Sequence, residues 1–424
     1  MLRQRLAYAF AGAATMVLIS VAPGVARAQA SVGPAPMPGA AAQPFALGGL
    51  PFTVGLQERT TYDTNVARGN DINAAIRDVN TADWIIAPSV TLNYSSANPR
   101  QGFALKGYFG YDYYVRNEIL RRESIDVSAA GNATFGRCVV GGQLAYDRGQ
   151  SGLEDLTLLV TKNTIQTYTI SANESCAIGP AVTQTISVHH SGTQNSTSSL
   201  VDYDTNGVSG SIGYSNRALG TVSLVASYDK TDYKNRAVVI LGTPNSLEST
   251  DIGVSISRPI GARLAGHAGV FYNTSTSNLG PGALPGQNSD FDGLTANAGL
   301  TYTVGPRLVL NANLARDVQA TIRQTAAYSV DDRIDISAGY TLSSRIHLSL
   351  GSTWSKQSFR GTAPLVLQTA PNQVDLWTLT AGASMRLGRN SALSADYSHE
   401  NSNTDLALFD FKSDRISLTI STSF

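Results

Sequence analysis

The feature that most limits what this chain can become is an apolar residue at every second position, repeated in blocks from Phe52 to the end. Phe103, Leu105, Phe109, Tyr111 and Tyr113 form one series, and Ile125, Val127, Ala129, Ala133 and Phe135 another. Ile334, Ile336, Ala338, Tyr340 and Leu342 form a third, followed by Ile346, Leu348, Leu350 and Trp354. Lys106, Asp112, Asp126, Arg333, Asp335 and His347 lie between them. Side chains alternate between the two faces of a strand, so each block is a strand with one apolar and one wet face. Eighteen blocks are found, near residues 52–62, 83–95, 102–114, 123–135, 138–147, 164–176, 181–190, 205–214, 219–229, 249–258, 262–273, 292–303, 307–317, 332–342, 345–355, 375–387, 391–399 and 413–424. Most have the length a tilted strand needs to cross a bilayer, about ten residues.

The connections alternate in length. Short ones include Gly136-Arg137, Ser215-Asn216-Arg217, Gly305-Pro306 and Gly388-Arg389-Asn390, whereas residues 63–82, 148–163, 191–204, 230–248, 274–291, 318–331, 356–374 and 400–412 form long polar loops. Short turns at one end and long loops at the other describe an outer-membrane barrel; a soluble sandwich has no reason for that order. The expectation is an all-β fold, a transmembrane antiparallel up-and-down β-barrel of about 18 strands spanning residues 51–424. Sixteen is the alternative, because a twenty-residue loop separates the first two blocks. Only 15% of residues are charged, 31 basic against 31 acidic, which excludes a strongly basic nucleic-acid binder.

Residues 1–28 read as a signal peptide: Arg3 and Arg5, an apolar stretch from Leu6 to Val21, then the small-residue cleavage sites Ala26-Arg27-Ala28 and Ala28-Gln29-Ala30, so that cleavage after residue 30 is the variant. Cleavage after residue 28 removes three of the 31 basic residues and leaves a net charge of −3. Residues 31–50, uncharged and rich in Pro, Ala and Gly, read as a flexible periplasmic tail, although a segment folded into a pore has the same composition. No later segment reaches about 18 consecutive apolar residues, so any crossing of a membrane is made by strands. The expected location is the cell outer membrane, with its lipid and the barrel-assembly machinery as partners and no nucleic acid.

Tyr94, Tyr113, Tyr146, Tyr214, Tyr228, Tyr272, Tyr302, Trp354, Trp377 and Tyr397 sit where strands meet turns or loops, as in the aromatic girdles of membrane barrels. The last block, Arg415 to Phe424, alternates up to a terminal aromatic and looks like the C-terminal assembly signal of outer-membrane proteins. Cys138 opens the fifth block and Cys176 closes the sixth, which places both at the same end of neighbouring strands, within reach of a cross-strand disulfide in an oxidising compartment. The alternative is two free thiols at a turn.

No CxxC, GxGxxG, Walker-type or HExxH motif occurs, so no cofactor or metal site is expected and no catalytic residue stands out. His189-His190-Ser191 and Ser398-His399-Glu400 would belong to a rim hydrolase only if a nucleophile, a base and an orienting group converged; solvated histidines are the simpler reading. The candidate lumen-lining set is Lys106, Asp112, Asp126, His267, Asn311, Asn313, Arg333, Asp335, His347, Arg386, Asp396 and Arg415. Neighbouring opposite charges are expected to pair there and leave no strong field of one sign.

The element Tyr62-Asp63-Thr64-Asn65-Val66, the Tyr228-Asp229 pair and the alternating hairpins resemble the putative β-barrel porin type 2 family over residues 50–424. The resemblance implies an outer-membrane porin-like channel akin to the barrels of bacterial exopolysaccharide biosynthesis operons. Polysaccharide and periplasmic export components are the further partners it implies, and it brings no catalytic residues. A structural or surface-interaction barrel with a blocked lumen and partner-binding loops is the competing expectation.

Overall fold

Strands lying in hydrocarbon must pair every backbone amide and carbonyl, and a sheet with free edges cannot do so. This chain removes its edges by closing into a ring. The computed structural model describes residues 52–98, 100–151, 162–234, 244–279, 290–323, 326–360 and 370–424. The segments read as signal peptide and periplasmic tail, 1–28 and 31–50, lie outside the described residues. Eighteen antiparallel strands follow one another around the ring: β1 (Phe52–Asp63), β2 (Asp83–Asn98), β3 (Gln101–Tyr114), β4 (Arg122–Phe135), β5 (Cys138–Gln150), β6 (Thr164–Ala177), β7 (Val182–Asn195), β8 (Asp202–Asn216), β9 (Gly220–Lys234), β10 (Pro244–Ile260), β11 (Leu264–Leu279), β12 (Phe291–Val304), β13 (Leu308–Ala320), β14 (Tyr328–Thr341), β15 (Ile346–Arg360), β16 (Gln373–Arg386), β17 (Ser391–Thr404) and β18 (Phe411–Ser423). Each pairs with its neighbours in sequence, and β1 closes the ring against β18 from Gly55↔Ser423 to Asp63↔Arg415. The 18-strand expectation holds and the 16-strand alternative falls, because β1 pairs with β2 along the whole length of β1, from Phe52↔Tyr94 to Asp63↔Asp83.

Within the central belt the strands carry most of their large apolar residues on one exposed face. Leu144 and Ile170, Ile252 and Val270, and Leu350, Leu418 and Ile420 all belong to this set. Such a belt is stable only against lipid, so this face is outward and the opposite one inward. Aromatic residues border it at both ends. Phe52, Tyr94 and Phe103 stack in a row near the short turns, with centroids 4.6 and 5.9 Å apart, and Tyr62 lies 5.0 Å from Trp84 at the other end. Short turns are closed by glycines such as Gly136, whose φ of 60° is a conformation that other residues adopt only at a cost.

At the long-loop end most strands outrun the sequence blocks: β7 reaches Asn195, β9 Lys234, β15 Arg360 and β17 Thr404. Above the lipid belt both faces are polar or loop-covered, so alternation fades while the hydrogen-bonded ladder continues. The turn between β6 and β7, Ile178 to Ala181, carries no charge, and Gly179-Pro180 marks it in the sequence. The first long loop holds a short helix, α1 (Asp71–Ile76), started by the side chain of Asn70, which accepts from the Asn73 amide.

Candidate pore and its covered mouth

Inward residues are chiefly small and hydroxylated. β7 contributes Thr183, Thr185, Ser187, Ser191 and Thr193, β8 contributes Thr205, Ser209 and Ser211, and β15 contributes Ser349, Thr353 and Ser355. Their hydroxyls bond across strands, as between Ser187 and Ser209 at 2.6 Å, Thr205 and Thr231 at 2.8 Å, and Thr61 and Ser417 at 2.8 Å. Each such pair adds about 0.2–1 kcal/mol to the sheet while leaving hydroxyl oxygens facing the interior.

Strand register places Lys106, Asp112, Asp126, His267, Asn311, Asn313, Arg333, Asp335, His347, Arg386, Asp396 and Arg415 on this inward face. Some meet partners. Arg333 grips Asp335 through two bonds of 2.8 and 3.0 Å, and Thr353 donates to the same carboxylate. Asp112 sits between Arg122 at 2.8 Å and Arg59 at 3.5 Å, while Asn311 bridges Thr301 and Ser337. Among the described residues, Lys106, His267, His347 and Arg386 make no ion pair; all four lie in the lower lumen, toward the short turns.

Higher up, the expected balance of charge fails. Counted from the short-turn end of their strands, Asp126, Asp147, Asp229, Asp251 and Asp317 all stand nine residues up and Asp331 ten. Asp126 faces Asp147 and Asp317 faces Asp331 across neighbouring strands. Within the described residues none of the six pairs with Lys or Arg, and only Asp229 has a potentially cationic neighbour, His189 at 3.2 Å. Asn273 and Thr295 donate to Asp251 instead. Counted along their strands, these carboxylates therefore stand at nearly one height above the short turns.

A second cluster closes the seam. Asp63, only 3% exposed, accepts from the Asn65 amide at 2.8 Å, from the Ser413 hydroxyl at 2.6 Å and from the Arg68 guanidinium at 2.8 Å. Arg68 also reaches Glu400 at 3.3 Å, and Arg415 bonds Glu400 and lies 3.5 Å from Asp63. The Tyr-Asp-x-Asn-Val element is thus a latch: Asp63 ties β1 to β18 and to the first loop, and Asn65 bonds the Gly69 carbonyl to fold that loop. The element was visible in the sequence; its partners Arg68 and Glu400 carried no signal. Parity alone could have found Arg59 and Arg122.

Above the latch the long loops turn inward. Asn73 and Asn70 donate to Leu408 and Ala407, and Arg77 lies over the Phe409 ring, so the first loop is pinned to the β17–β18 loop. The Val201 amide donates to the Ile322 carbonyl at 2.8 Å, and Leu200 bridges to Arg323. These residues belong to loops whose strands, β8 and β14, stand six places apart in the ring, so the contact runs across the mouth. Tyr233 bonds the Ala327 carbonyl from β9. One apolar cluster joins Val66, Val79, Leu120, Leu200, Val201 and Ile322 to inward residues Ile85, Tyr114, Tyr203 and Tyr233. The described loops therefore build a covered mouth over the lumen.

Neither histidine set assembles. His190 points outward, between Tyr168 and Asn206, while Ser191 points inward. His399 also points outward, 2.9 Å from Asp414, with Ser398 and Glu400 on the inner face. The rings of His190 and His399 lie on the outer face, whereas His189 is inward and buried beside Asp229. Cys138 and Cys176 face each other directly, with Cα atoms 4.0 Å apart and their sulfurs joined in a disulfide. With Glu174 they form the one group of three potential metal ligands among the described residues, but sulfurs bonded to each other are not thiolate ligands.

Several solved barrels resemble this one. The FrpB iron transporter of Neisseria meningitidis (F3-3 variant) shares 9% identity with a TM-score of 0.46 over 83% of this chain, which spans 62% of FrpB's length, less than two thirds. OccK2 (OpdF) of Pseudomonas aeruginosa, solved with glucuronate, shares 11% identity with a TM-score of 0.45, covering 88% of this chain and 98% of its own. The siderophore receptor PirA of the same organism shares 10% identity with a TM-score of 0.42, covering 88% and 80%. None of these likenesses assigns a solute to this chain. Among curated proteins, none matches it. The family model described as Putative beta-barrel porin 2 matches residues 202–424, more than half of the sequence, and the protein belongs to that family.

Proposed function

We propose that this protein is an outer-membrane channel for polar, uncharged or weakly charged solutes, delivered by its N-terminal signal peptide, and that its cargo is a secreted exopolysaccharide. The carrying observation is the inward face, where Ser, Thr, Asn and Gly predominate over all 18 strands. Barrels of 16 to 18 strands are wide enough for an aqueous path. Many weak, equivalent hydroxyl contacts let a sugar chain advance without a tight binding step. The porin family supports the channel, and the polysaccharide link rests on the resemblance to exopolysaccharide-operon barrels.

The covered mouth favours a second reading, a barrel blocked at rest whose loops meet partners. Single-channel conductance in a planar bilayer separates the two. Stable steps that added oligosaccharides block support the channel; silence from correctly folded protein rejects it and leaves the blocked barrel.

A further inference from the structure

The eight short turns share a chemistry that the lumen does not explain. Arg137, Arg217, Arg263, Arg307, Arg345 and Arg389 each occupy a different turn, and Arg100 stands in another, while no turn contains Asp or Glu. Five of the seven directly precede the first residue of the next strand, a repeat of position as well as of residue type. All seven are exposed. Among the described residues none of the six named first forms an ion pair, whereas outward charges at the long-loop end are paired, as Lys230 with Glu248 and Arg316 with Asp332. The short-turn end is therefore a nearly continuous ring of guanidinium groups.

We propose that this ring grips the phosphates of anionic phospholipid headgroups in the leaflet at the short-turn end, an inference that rests on the membrane-spanning reading above. Three observations select lipid as the occupant. The arginines follow the whole perimeter, where headgroups lie, instead of gathering on one side as a docked protein would require. Exposed outward aromatics Phe135, Tyr214, Tyr302 and Tyr340 stand within three residues of the turns and mark the interface at that height. An anionic polymer drawn into the mouth would next meet the level of six aspartates and be repelled. Guanidinium also matches phosphate bidentately and stays charged at all relevant pH values.

The test is the perimeter selectivity of the folded protein in phosphatidylcholine vesicles, read by electron spin resonance with spin-labelled phosphatidylglycerol against spin-labelled phosphatidylcholine. Single exposed charge contacts of 0.2–1 kcal/mol imply a preference for phosphatidylglycerol of about 1.4- to 5-fold at low salt, falling toward one at 1 M salt, where the screening length is about 3 Å. The combined variant Arg217→Gln, Arg263→Gln, Arg307→Gln, Arg345→Gln loses most of the preference, and the corresponding Lys variant keeps more of it. A ratio near one for the unaltered protein at low salt overturns the proposal, and so does a ratio unchanged in the Gln variant. Altered ion permeability in that variant with unaltered lipid preference assigns the arginines to the mouth and also overturns it. Failure to insert into vesicles removes the membrane-spanning reading together with this one, whereas insertion without preference removes this one alone.

Discussion

Replacing Asp63 by Ala probes the latch. The side chain is 3% exposed, so little of its interaction is lost to solvent screening. The substitution removes the acceptor for Ser413, for the Asn65 amide and for Arg68, and takes the nearest carboxylate from Arg415. Breaking a buried ion pair from one side costs about 3–5 kcal/mol; because Glu400 remains beside both arginines, the lower end applies, about 3 kcal/mol. That is roughly a hundredfold in the folded-to-unfolded ratio. Asp63→Asn keeps an oxygen for Ser413 and Asn65 and loses the charge, so it falls about midway. Reversible guanidinium unfolding in detergent, followed by the fluorescence of outward-facing Trp84, Trp354 and Trp377, measures both. A loss under about 1 kcal/mol for Asp63→Ala, smaller than a buried pair allows, would refute the argument, and so would equal losses in the two variants.

Val201→Asp places a charge in the buried cluster of the mouth, where Val201 has no solvent exposure; conductance or small-solute leakage rises while the barrel stays folded, and unchanged flux removes the covered mouth as a barrier. Val254→Arg, on the exposed outward belt, costs about 2–4 kcal/mol in vesicle folding, whereas the inward neighbour Ser255→Arg costs under about 1 kcal/mol; equal effects would reverse the assignment of faces. Asp251→Asn with Asp317→Asn lowers the cation-to-anion permeability ratio, measured as reversal potential in a salt gradient, and an unchanged ratio would show that the carboxylate level does not touch the ion path. Cys138→Ser with Cys176→Ser lowers stability by about 2–4 kcal/mol, the range for removing a cross-link, here between residues 38 apart; two free thiols in the unreduced, denatured protein would exclude the bond in solution.

Much of this architecture is written locally. Alternation assigns each side chain in the lipid belt to a face, since neighbours on a strand point opposite ways whatever lies around them, which is why His267, Asn313 and Arg386 could be placed inward from the sequence. Eighteen blocks with alternating turns and loops give the topology and narrow the strand number to 18 or 16, which the β1–β2 pairing decides, and closure follows because free edges are untenable in a bilayer. Contacts between distant segments are another matter. Asp63 meets Ser413 from 350 residues away, and Val201 meets Ile322 across the mouth. Above the belt alternation vanishes, so neither the added length of β15 and β17 nor the inward turn of the loops has a periodic signature. The lipid environment imposes the repeat that makes the barrel legible, while the mouth and the latch arise from pairings that exist only once the ring is closed.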